Sequence, residues 1–171
     1  MKIFERIGAV MLGLAFLLTA SEAPAANEAA AFSAIHLTAQ AAIQAGELAQ
    51  ARASSAEIRN LGRLVVRDDT ELDRRLLGLA AKAGVQLADS PKPGEMQLAE
   101  LGGLRGAIFD RKFLNFNYGA SEALLKQMHD AAGQLALSPL MGLVAIFAPI
   151  IRQDQFLSGW CLGHCVPRTK P

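Results

Sequence analysis

The chain has 171 residues, 51% of them hydrophobic and 6% aromatic, with 17 Lys and Arg against 16 Asp and Glu for a formal net charge of +1. That is enough sequence for one domain with a sizeable core. The near-neutral balance excludes the concentrated basic surface that nucleic-acid binding requires, and it gives no electrostatic case for an anionic membrane surface.

Lys2 and Arg6 open the chain, and Ile7 to Ala20 follows as an uninterrupted apolar run. Ala23-Pro24-Ala25 then presents the small residues that a signal peptidase accepts. Residues 1–25 therefore read as a secretory signal peptide. The run is short of the roughly 20 residues that span a bilayer, which sets a membrane anchor aside. The remaining chain, 26–171, is expected to be soluble in the periplasm. Its most apolar stretch, Leu140 to Ile151, is too short for a transmembrane segment.

Alanine and leucine dominate the rest, alternating strand patterns do not occur, and proline falls between long uninterrupted segments. The first segment, Asn27 to Ala53, repeats Phe32, Ile35, Ala39, Ala42, Gly46 and Ala49 at spacings of three and four, a narrow helical seam of small residues. Ser54 or Ser55 is placed to cap the next helix. That second segment, Ala56 to Ala83, carries Ile58, Gly62, Val65, Asp69, Leu72, Leu76, Leu79 and Ala83 on one face and ends at Gly84. Arg63, Arg67, Glu71, Asp73, Arg74 and Arg75 read as its solvated surface. A loop through Ser90–Pro93 leads to a short helix, Glu95 to Leu101.

The third long segment, Gly106 to Ala132, has Phe109, Phe113, Phe116, Ala120, Leu124 and Met128 as its apolar face, with Gly133 closing it. The fourth begins at Ser138-Pro139, a cap with proline in the first helical position. Its stripe is Leu140, Leu143, Phe147, Ile150, Asp154 and Leu157, and Pro149 is expected to kink or break it. Four helices with one apolar stripe each make an all-α, antiparallel four-helix bundle. The long Val85–Gly103 connection suits the ferritin-like variant, with a crossover between the second and third long helices. The domain is placed at 26–158, followed by a Cys-containing tail, 159–171.

Asp69 and Asp154 interrupt otherwise apolar seams. A buried carboxylate costs several kcal/mol unless it is paired, protonated or bound to a cation. Inward carboxylates of bundles are the raw material of metal sites, but two alone make a poor transition-metal site. The alternative is a bond to a nearby Arg, Asn117 or Ser121. The pair is expected to lie together in the interior, with at least one member titrating well above its free value. No Glu-x-x-His pair, phosphate loop, nucleophile elbow or Cys-His catalytic pair occurs, and His36, His129 and His164 lack metal-ligand spacing. No catalytic or cofactor-binding residue is assigned.

Both cysteines, Cys161 and Cys165, sit in the tail. In an exported protein they are expected to pair with each other, with the chain opening at Gly163. A metal held by Cys161, His164 and Cys165, or pairing between chains, are the alternatives.

These residues resemble the exported family of the domain of unknown function 4142, whose members are labelled outer membrane proteins and assigned a ferritin-like helical fold. The resemblance rests on Gly46-Glu47-Leu48-Ala49, Val65-Val66-Arg67-Asp68-Asp69, Leu76 to Gly84 and Leu101 to Leu114, with Gly106, Phe109 and Asp110 in the family's places. Pro149 matches a family proline. The resemblance implies a ligand set of one glutamate on the first long helix and one histidine on each of the others. The matching residues here are Ala42, Asp69, Ser121 and Asp154. The expected function is thus a non-catalytic exported bundle acting in envelope maintenance, stress survival or binding of an envelope component or partner protein. The alternative is a ferritin-like metal-binding or oxidative-stress protein holding a divalent ion at Asp69 and Asp154. Oligomeric state is open.

Overall fold

A computed structural model describes residues 22–89, 93–134 and 140–166. The apolar run Ile7–Ala20, Ser90 to Lys92, the Ser138-Pro139 cap and the last five residues lie outside the described residues. Within them the chain is all-α: α1 (Glu22–Arg52), α2 (Ala56–Ala83), the short α3 (Glu95–Gly103), α4 (Gly106–Gln134) and α5 (Leu140–His164). They form a helical bundle. α1 packs along α2 and α4, α5 packs along α2 and α4, and α3 lies against α1 and α4.

The closest crossing is between α1 and α2. A Cβ built on Gly46 would stand 2.8 Å from the Gly62 carbonyl oxygen and 2.9 Å from Val66 Cγ2, and one built on Gly62 would stand 2.8 Å from Ala49 Cβ. The small-residue seam thus lets two backbones touch. Further along, His36 meets Asp73, so α2 returns antiparallel to α1. Thr38 meets Gln127 and Ser54 meets Asp110, so α4 also runs opposite to α1.

Local chemistry sets the turns. Ser55 caps α2, its Oγ accepting from the Ile58 amide at 3.4 Å. Gly84 ends the helix at φ 68°, a left-handed conformation that a Cβ would penalise. The α1–α2 turn is fastened to α4 by Asp110, 1% exposed. Its carboxylate accepts from the Ser54 amide at 3.0 Å and from the Ser54 hydroxyl.

The buried faces follow the expected stripes, with local one-residue departures in α2, α4 and α5. In α2 Ala80 is buried while Leu79 is half-buried and Ala83 exposed. In α4 Asn117 and Ser121 are buried, while Phe116 and Ala120 are only half-buried. In α5 Ile151 and Ser158 are buried in place of Ile150 and Leu157. α2 and α4 each pack against both α1 and α5, so each buries a face wider than a single stripe.

Three further expectations are corrected. Gly133 does not close α4, which runs to Gln134. α5 is not broken at Pro149 and continues to His164. Pro149 and Ala145, whose carbonyl loses its helical donor, both lie on the exposed side, where water satisfies the oxygen. Asp73, read as solvated, is 4% exposed, because it lies four residues from Asp69 on the same face and meets His36 and Gln40 of α1. At 25 residues and a mean hydropathy of 1.3 in its most apolar window, α5 is the one described helix long and apolar enough to cross a membrane by length and composition. Its inner face supplies Leu140, Leu143, Phe147, Ile151 and Asp154 to the bundle core.

Gly46→Ala should lower stability by about 1–3 kcal/mol, because backbone rather than a flexible side chain must yield. Gly78→Ala, with nothing within 4 Å of the new Cβ, should raise it by roughly 0.5–1 kcal/mol through helix propensity. Urea unfolding of both variants checks the pair. Equal effects would mean that the Gly46–Gly62 contact does not limit the helix approach.

Candidate functional site

The core is two apolar clusters with a polar belt between them. One cluster holds Phe32, Ile35, Leu72, Leu76, Met128 and Phe147. The other holds Ala45, Ala49, Ile58, Phe109, Phe113 and Cys161. Where the first gives way to the second, α2 turns Asp68 and Asp69 inward, α4 turns Asn117 and Ser121, and α5 turns Asp154 and Ser158. All are no more than 9% exposed. α1 contributes Ala42 at this level, 2% exposed.

Part of the belt is satisfied. Asn117 Nδ2 donates to Ser158 Oγ at 2.9 Å, and Ser158 Oγ donates to the Asp154 backbone oxygen at 2.9 Å. Asp68, at the edge, takes a two-pronged contact from Arg67, with Nε at 2.7 Å and Nη2 at 2.9 Å. One turn along α2, Asp73 accepts from Gln40 Nε2 at 2.6 Å and contacts His36 Nδ1 at 2.6 Å. The central pair is not satisfied. Asp69 Oδ1 and Asp154 Oδ2 are buried without a hydrogen-bond partner among the described residues, and each residue is 3% exposed.

The electrostatics follow. Burial drives the Asp69 carboxyl well above its ordinary value, and the charges of Asp154, Asp68 and Asp73 push the same way. Burial also raises Asp154, to about 7, with Asp68 adding and Arg67 opposing. Burial thus holds both groups toward their protonated forms, and neighbouring carboxylates add to the effect. A protonated carboxyl carries an O–H donor where an ionised one can only accept. The arrangement can therefore hold and release a proton inside the bundle.

Asp69 and Asp154, singled out by sequence, are thus brought together. The three histidines are not: His36 is tied to Asp73, His129 is exposed, and His164 stacks on Trp160. Among the described residues no group of three or more His, Cys, Asp or Glu side chains is placed to hold a metal ion. Of the four positions matched above to a ligand set, Ala42 and Ser121 are buried at 2% and 5% exposure. Sequence reasoning missed Asp68 and Asp73 as interior acids. Asp73 lies four residues after Asp69 and so shares its face, a signal that was available. Asp68 carries none.

The sign of the pH dependence is fixed by the direction of the shifts. A carboxyl whose folded pKa exceeds the unfolded value of about 3.9 contributes fully below that value, and its contribution is lost as pH rises through the folded pKa. Stability should therefore decline between about pH 4 and the value near 7 of Asp154, against the usual gain of an acidic side chain in that range. Asp154→Asn should flatten this decline and stabilise the protein at pH 8 by about 1–3 kcal/mol. Thermal melts from pH 4 to pH 8 check it. A large loss of stability in the variant would instead show that the carboxylate balances a cation.

The sequence profile of the domain of unknown function DUF4142 matches residues 17–154. That span covers the polar belt through Asp154 and stops short of both cysteines. No curated protein and no solved structure matches the chain.

Proposed function

The chain belongs to the DUF4142 family, and on that premise we propose that it is an exported, ferritin-like antiparallel four-helix protein that works in the cell envelope without catalysis, as a structural or partner-binding bundle. Its mid-bundle belt holds a proton where a metalloprotein would hold an ion. One observation carries the reading: of the four positions that the resemblance matches to a ligand set, two are the buried Ala42 and Ser121, a methyl group and a weak neutral oxygen. Soft or borderline metals require imidazole, thiolate or several carboxylates at such a centre. Export is supported by Lys2, Arg6, the Ile7–Ala20 run and the Ala23-Pro24-Ala25 site. Cleavage there would trim only the first turn of α1, before its first core residue, Phe32. The ferritin-like topology is supported by the antiparallel pairing of α1 with both α2 and α4, and by the α3-containing connection between α2 and α4.

A second reading is favoured by the orphaned oxygens Asp69 Oδ1 and Asp154 Oδ2, which a divalent ion would satisfy. Elemental analysis of untagged protein, isolated from the periplasm without chelator, separates the two. The proposal expects well under one metal ion per chain and no change in melting temperature with chelator. One ion per chain, lost in Asp154→Asn, would establish the metal reading. N-terminal sequencing of the same sample should begin near Ala26, and an intact Met1 in the membrane pellet would overturn export.

A further inference from the structure

The end of α5 lies beyond the family match and holds both cysteines of the chain. α5 does not open at Gly163: the Cys165 amide donates to the Cys161 carbonyl at 2.8 Å, continuing the helical ladder one residue past His164. Cys161 and Cys165 thus share one face, one turn apart. Cys165 Sγ contacts Cys161 Sγ at 2.7 Å. Residues four apart on a helix have Cα atoms about 6 Å apart, within the range of a disulfide. Cys165 follows the last helical residue, so its backbone is free to complete the geometry.

The two thiols are unlike. Cys161 is 4% exposed and belongs to the apolar cluster with Phe109 and Phe113. Cys165 is half-buried at the rim of that cluster, next to buried Val166. Burial, followed by the nearby Cys165 sulfur, pushes the Cys161 thiol up to about 12. His164 does not join them in a metal site: its ring stacks on Trp160 at 4.8 Å between centroids, and its Nδ1 lies 2.8 Å from the Trp160 carbonyl oxygen.

We propose that Cys161 and Cys165 form a reversible dithiol–disulfide centre, in which Cys165 meets small-molecule or protein disulfides and buried Cys161 resolves the adduct. In the first step the Cys165 thiolate attacks one sulfur of the incoming disulfide. The new bond joins Cys165 Sγ to that sulfur, the old S–S bond breaks, and one thiolate leaves and takes a proton from water. In the second step Cys161 gives its proton to water and attacks Cys165 Sγ, and the second thiolate departs. The protein loses two electrons and two protons, and the disulfide is reduced to two thiols. The buried thiol is protected from the first attack and reacts only when its neighbour presents a sulfur within reach. Oxidation ties Cys161, a core residue, to the chain that carries Val166, and so sets the packing of this end of the bundle.

The probe is glutathione disulfide, added to the reduced, full-length mature protein. Both thiols should vanish together as an intrachain bridge, seen by alkylation and mass spectrometry without reductant, and return with dithiothreitol. Brief alkylation of the reduced protein should label Cys165 at least roughly tenfold faster than Cys161. Cys161→Ala should accumulate a glutathione adduct on Cys165, and Cys165→Ala should not form one on Cys161. Persistence of both thiols in excess glutathione disulfide, an interchain dimer, or preferential labelling of Cys161 would each overturn the proposal. The labelling order in the unmutated protein decides the matter if a variant does not fold.

Discussion

Two carboxyl groups that must share the interior of the bundle constrain everything around them. Asp69 and Asp154 come from α2 and α5, which pack together. Both are 3% exposed, and each has an oxygen with no partner among the described residues. Two ionised carboxylates in that position would cost several kcal/mol each in lost hydration and repel one another as well. Protonation removes most of that cost, which is why burial raises both groups. The apolar clusters on either side are complete in themselves, with Phe32, Leu72 and Met128 in one and Ile58, Phe109 and Phe113 in the other. The belt between them is therefore the weakest layer of the core. Its neutral members, Asn117 and Ser158, bond to each other and to the Asp154 main chain, leaving the Asp154 carboxylate free of them.

Much of this was legible in the sequence because helices keep time. The four long segments, the Ser55 cap, the Gly84 terminator and the small-residue face of α1 are all written in local chemistry. Asp69 and Asp154 stood out because each replaces an apolar residue in a periodic stripe. What is not legible is the width of each buried face and its local departures from a seven-residue repeat. That repeat predicts Phe116, Ala120 and Leu157 inside, whereas Asn117, Ser121 and Ser158 are buried. These three turn two isolated acids into a polar belt. Asp73 shares the Asp69 face by its four-residue spacing, but its partners His36 and Gln40 come from another helix, which no local pattern shows.

Two features of the core stand out. One is the chemistry of the belt, where Ala42 and Ser121 are buried beside the carboxyl groups. The other is the Cys161–Cys165 end of α5, past the span that the family profile matches. They are linked through α5 itself. Its inner face runs from Phe147 and Ile151 through Asp154 and Ser158 to Cys161. Asp154 and Cys161 therefore rest on one continuous helix, with the apolar cluster of Phe109 and Phe113 packed about the thiol end.

The central claim is that the interior carboxyl pair carries a proton at neutral pH. Carbon-13 NMR of the aspartate side-chain carboxyls, titrated from pH 3 to pH 9, reads this directly, with Asp69→Asn and Asp154→Asn providing the assignments. The account predicts that both carboxyls titrate above the ordinary aspartate range, Asp154 near 7 and Asp69 well above its ordinary value. Ionisation of both near the ordinary aspartate value of about 3.9 would contradict it, and would require a cation in the belt.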